Sequence, residues 1–194
     1  MLWWAALGAV VIGFTLAVLA AATKRDWLAI PVIVALLGVL TLRVMNVAEP
    51  DEPWFTPLLA LAIVGLGTAG GGPLVTLLLR VGLKMPQVAG PGGGIVVDDV
   101  DTRKAKKRKR GDTAQVGPST QEVLRGGSTI GYLERFAVIG AVLVGQAAAV
   151  AIVVAIKGLG RFTELDSAAA RELFIVGTLA SLIWAGACAA AIVW

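Results

Sequence analysis

Long apolar stretches alternate with short polar ones along the chain, and five of the apolar stretches approach the ~20 residues that a helix needs to cross a bilayer. They lie at Leu2–Ala22, Trp27–Met45, Phe55–Leu83, Arg135–Lys157 and Glu172–Trp194. The pattern predicts an all-α chain, a polytopic transmembrane helical bundle of about five spans. It divides into three N-terminal membrane helices (1–83), a flexible basic cytoplasmic loop (84–128) and a C-terminal transmembrane hairpin (129–194). Ala20-Ala21-Ala22 resembles a signal-peptide cleavage site, but the stretch before it has no basic start and exceeds the usual run of about 7–15 apolar residues.

Composition points the same way. Of 194 residues, 57% are hydrophobic and 15% charged, against about 25% charged in soluble domains. Such a chain cannot hide its apolar surface from water as one globule. There is no histidine, and the single cysteine, Cys188, lies in an apolar run. The commonest metal ligand and general base are therefore missing. No Walker, HExxH, CxxC or nucleophile-elbow motif occurs. No cofactor, metal or catalytic residue is expected.

Charge sets an orientation, because basic loops stay cytoplasmic. Lys24 and Arg25 follow the first stretch, Glu49, Asp51 and Glu52 the second, and the long third loop is basic. Five spans place the N-terminus outside and the basic loop and C-terminus inside, as for a bacterial plasma-membrane protein. Lys157 and Arg161 then fall on the outer side, against the rule. Trp3, Trp4, Trp27, Trp54 and Trp194 stand at span ends, where amphipathic rings favour the interface. Trp184 alone is mid-span.

In the third loop, Gly90-Pro91-Gly92-Gly93-Gly94 and three aspartates precede seven cations in eight residues: Arg103, Lys104, Lys106, Lys107, Arg108, Lys109 and Arg110. Without interleaved aromatics the run offers no stacking platform for nucleic acid. Next to a membrane it suits anionic lipid headgroups, at about 1 kcal/mol per charge, or an acidic partner.

The C-terminal half carries the polar constellations. Arg135, Gln146 and Lys157 are each 11 residues apart. On one helix that spacing overshoots three turns by only ~20°, so the three form a stripe with Gln146 mid-bilayer. Ala137, Ala141, Gly145 and Ala149, and likewise Gly177, Ser181, Ala185 and Ala189, repeat every four residues. Such small-residue faces allow close helix approach, and they predict a tight antiparallel hairpin of the last two spans. Arg161, Glu164 and Glu172 form an outer charged cluster, and Gly131 and Glu134 mark the inner side. In the third span, Gly65, Gly67, Gly70, Gly71, Gly72 and Pro73 read as a kink or packing contact, or as a broken helix of the kind that binds ions in transporters.

The stretches Ile130-Gly131-x-Leu133-Glu134-Arg135, Gly145-Gln146, Lys157 through Arg161-Phe162-x-Glu164-Leu165, and Glu172-x-Phe174-x-x-Gly177-Thr178-Leu179-x-Ser181 resemble a family of uncharacterised bacterial integral membrane proteins, a domain of unknown function. The resemblance covers about residues 126–187 and implies a location but no activity. The Ala- and Gly-rich composition also looks like that of a high-GC bacterium.

Three functions fit. The first is a non-enzymatic membrane subunit or regulator with a membrane-protein partner or as a homo-oligomer. The second is a small transporter or channel along the polar stripe. The third is a membrane-embedded enzyme on lipid-linked substrates, using Glu134, Glu164 or Glu172 with Arg161.

Overall fold

The computed structural model describes residues 1–23, 25–82, 127–162 and 168–194, and no strand occurs among them. The described residues form six α-helices: α1 (Leu2–Thr23), α2 (Ala29–Val44), α3 (Phe55–Gly82), α4 (Gly127–Leu143), α5 (Ala149–Phe162) and α6 (Ala168–Val193). A 3₁₀ turn at Asp26–Leu28 leads into α2. Among the described residues four segments are long and apolar enough to cross a membrane: Leu2–Thr23, Asp26–Val44, Phe55–Gly82 and Arg171–Val193. Only 22–39% of their apolar windows is buried within the chain. Their outward faces carry side chains such as Ile12, Val34, Leu61 and Ile183, as a bilayer requires and water does not tolerate over so wide an area.

The segment expected as a fourth span is instead two helices. α4 stops at Leu143, and α5 starts at Ala149. The stop is written in the backbone. Gly145 adopts φ +74°, its N–H donates to Val142 O, and the N–H of Gln146 donates to Ala141 O at 2.7 Å. These two bonds make a Schellman cap, which satisfies carbonyls that the ending helix would leave bare. α2 ends the same way at Asn46 (φ 49°), with Asn46 N–H on Arg43 O and Val47 N–H on Leu42 O. α5 then runs back along α4, and Lys157 pairs with Glu134 across the two.

Contacts between helices fix which ends lie together. Trp3 Nε1 donates to Val47 O at 3.0 Å, and Arg43 lies over the Trp3 ring and donates to Ala191 O at 3.2 Å. The start of α1, the end of α2 and the end of α6 therefore share one end of the bundle. Arg43 and Glu49 pair there, near the clustered rings of Trp4, Trp54 and Phe55, which meet tilted and edge-on. At the other end Asp26 pairs with Arg80 at 3.0 Å and accepts from Thr76 Oγ1 at 3.1 Å. That joins the α1–α2 turn to the last turns of α3. Gly177 packs on Val75, while Trp184 and Cys188 lie against Gly67 and Gly70, so α6 is antiparallel to α3. Arg135 meets Gly71, and Ile139 meets Gly67, so α4 also runs antiparallel to α3. Five crossings would put the two termini at opposite ends. Here they share one, because the polar hairpin returns on itself.

Three expectations are corrected by this arrangement. Gln146 lies in the exposed turn and not on a stripe with Arg135 and Lys157. Gly145 serves backbone conformation, since nothing lies within 4 Å of a Cβ built on it. The last long helix is parallel to α4, not antiparallel, because α5 intervenes. The loop over 84–126 with its basic run, and Glu164, lie outside the described residues.

The turn is testable. Gly145→Val forces a branched side chain into left-handed backbone and should lower stability by about 1–2 kcal/mol, whereas Gly145→Asn, which tolerates that conformation, should lose much less. Unfolding in mixed micelles checks this, and equal losses would contradict the cap. Engineered cysteines at Gln146 and Asp51 should label from the same side of a reconstituted bilayer, and one at Arg25 from the other.

Candidate functional site

The densest interior contacts gather where three glycines leave the surface of α3 bare. A Cβ on Gly67 would stand 2.6 Å from Ile139 Cδ1 and 3.0 Å from Cys188 Cβ. One on Gly70 would stand 2.9 Å from both Trp184 Cζ2 and Val32 Cγ1. One on Gly71 would collide with Arg135 Cδ, with Nε only 2.7 Å away. No real side-chain carbon fits at such distances, so α2, α4 and α6 dock into a groove that only glycine can form. α3 is continuous through Gly70-Gly71-Gly72-Pro73. The broken-helix reading of this segment is therefore replaced by the packing one. Pro73 removes a single N–H from the helix ladder without ending it.

Polar groups line the groove. Trp184 Nε1 donates to Gly67 O at 3.0 Å. Arg135 is 5% exposed, and its Nε donates to Thr68 O at 2.8 Å and its Nη1 to Ser181 Oγ at 3.2 Å. Its guanidinium also lies 5.3 Å from the centre of the Tyr132 ring, a favourable cation–π placement. These contacts tie α4 to α3 and α6 at one level. Among the described residues no carboxylate lies within ion-pair distance of Arg135.

One helical face round, Glu134 points to α5 and accepts from Lys157 Nζ. Lys157 Nζ also lies 5.9 Å from the centre of the Phe174 ring on α6. Both partners are largely covered, at 14% and 18% exposure, so each needs the other.

The residues singled out from sequence thus separate. Arg135, Glu134, Lys157, Gly131 and Ser181 come together in the half of the bundle nearer the Asp26–Arg80 end. Gly177 makes ordinary contact with Val75 Cγ1 at 3.4 Å. Glu172 is exposed near the start of α6, and Arg161 lies on the last turn of α5. The small-residue face of α6 is buried at Ser181, Ala185 and Ala189, but on α4 Ala137 is exposed, and Val138 and Ile139 fill the interior instead. Thr68 and Tyr132 had not stood out, and Trp184 had been noted only for its mid-span place. Trp184 carried a signal, being the only tryptophan away from a span end. The carbonyl of Thr68 carried none.

No group of three or more His, Cys, Asp or Glu that could hold a metal occurs among the described residues. No family model matches the chain, and comparison with curated proteins and with solved structures likewise returned no match.

Two substitution series probe the site. Gly67→Ala and Gly71→Ala should each destabilise by about 1–3 kcal/mol through overpacking, and Ile139→Val should recover part of the first loss. Glu134→Gln strands the Lys157 ammonium and should lose about 2 kcal/mol. The exchange Glu134→Lys with Lys157→Glu should recover much of it, with coupling read from a double-mutant cycle.

Proposed function

We propose that the chain is an integral protein of a bacterial plasma membrane that acts as a non-enzymatic subunit or regulator, through its helix surfaces and its basic cytoplasmic segment. The filled glycine groove carries this reading. A path along the bundle would need the space at α3 that Ile139, Cys188, Trp184 and Arg135 occupy. Catalysis would need an acid or base turned toward a substrate, whereas Glu134 is turned on Lys157. What faces outward is apolar, including Ile152 and Ile156 on α5, a helix that packs chiefly on α4 and leaves its far side uncovered. A membrane-protein partner or a second copy suits that side.

Orientation follows from the returning hairpin. Arg25, Arg80, Arg161 and Arg171 belong to the end where α3 stops and α4 begins, and in the sequence the run Arg103–Arg110 falls between those two helices. Arg43, matched by Glu49, is alone at the opposite end among the described arginines and lysines. Taking the basic end as cytoplasmic satisfies the positive-inside rule and removes the outward placement of Lys157 and Arg161. Both termini are then outside, and anionic headgroups meet the basic segment.

Photo-crosslinking residues placed at Ile152 and Ile156 should give a protein adduct of discrete mass in cells, while one at Val34 gives lipid adducts only. Lipid adducts alone at all three positions would refute the subunit reading.

A further inference from the structure

Arg135 has five N–H donors, and the bonds to Thr68 O and Ser181 Oγ take two of them. Nη2 forms no hydrogen bond among the described residues. The guanidinium lies under Gly131, where a Cβ would stand 3.2 Å from Nη1 and 3.7 Å from Nη2, the Arg135 side chain being its nearest neighbour. Glycine thus keeps open the approach to the forked edge from the start of α4, eight residues or about 12 Å away. Gly71 clears the opposite flank, and Tyr132 covers a face. A cation buried with neutral partners alone is costly. Nearby Glu134 relieves it only in part, because its carboxylate is paired with Lys157. A planar fork with two N–H groups directed alike matches two oxygens of one anion.

We propose that Arg135 is the receptor for a single phosphate group, which reaches Nη1 and Nη2 past Gly131 from the basic end of the bundle. Thr68 O and Ser181 Oγ hold the guanidinium in register, so the fork is oriented before the anion arrives. The phosphate comes either from a lipid headgroup or from solution, since the same two-oxygen contact recognises both.

The test uses the purified full-length chain in zwitterionic detergent, with inorganic phosphate and short-chain phosphatidylglycerol as probes and binding read by native mass spectrometry. A form with the seven cations of 103–110 changed to Gln separates this site from the basic run. That form should bind one phosphate or one lipid with unchanged affinity. Gly131→Val fills the space beside Nη1 and Nη2, and in the folded variant it should weaken binding by about tenfold or more. Arg135→Lys, which keeps the charge but loses the fork, should weaken it comparably. Binding of inorganic phosphate assigns a soluble ligand, and binding of the lipid alone assigns a headgroup. Loss of all binding when the seven cations are replaced would overturn the proposal. So would wild-type affinity in folded Gly131→Val. A third overturning result is Glu164→Gln or Asp166→Asn destabilising as much as Arg135→Gln, because a carboxylate of the chain would then hold the fork.

Discussion

At Gly67, Gly70 and Gly71 the flank of α3 is bare backbone, and α2, α4 and α6 take their positions from that gap. Ile139 and Arg135 of α4, Trp184 and Cys188 of α6 and Val32 of α2 enter it together. Between apolar helices in lipid there is no hydrophobic drive to associate, and close packing with internal hydrogen bonds has to hold them. The groove supplies both. It admits side chains to contact distance, and it exposes the carbonyls of Gly67 and Thr68 to Trp184 and Arg135. The same glycines that weaken α3 as an isolated helix therefore strengthen the assembly, and tertiary contacts keep the helix continuous through Pro73.

Away from the groove, polar pairs act as clips at the two ends. Asp26 with Arg80 and Thr76 ties the first turn to α3. Arg43, with Glu49, the Trp3 ring and the Ala191 carbonyl, gathers α1, α2 and α6. The Arg43 guanidinium on a last-turn carbonyl of α6 is also favourable to the helix dipole. Length and apolar content alone were enough to read the helices that these clips join, from α1 through α3 and at α6, because hydropathy is a sum over many residues and tolerates local error.

The hairpin was not read so easily, and the reason is geometric. Arg135, Gln146 and Lys157 fall 11 residues apart, which matches both three turns of a single helix and a fold about Gln146. Periodicity cannot tell these apart. The deciding residue is Gly145, whose place in a small-residue stripe hid its role as a helix stop. The midpoint between Glu134 and Lys157 falls at the Gly145–Gln146 bond, so opposite charges were already placed as mirror images about the turn. Ser181 was noticed for its size and works through its hydroxyl. The Thr68 carbonyl is backbone, and no pattern of side chains could have marked it.

The short arms of the hairpin bear on how the chain enters its membrane. α4 has 17 residues and α5 has 14, so each is about 21–26 Å long, below the ~30 Å of a hydrocarbon core. Each also carries charges, Glu134 and Arg135 on α4 and Lys157 and Arg161 on α5, and a charge is costly to insert alone, by a few kcal/mol. Paired, Glu134 and Lys157 cancel, and the Schellman cap closes the turn without bare carbonyls. In lipid α4 is therefore better matched together with α5 than alone. The natural unit of partition is the pair, about thirty-six residues counted with its turn, and the left-handed backbone at Gly145 eases its closure.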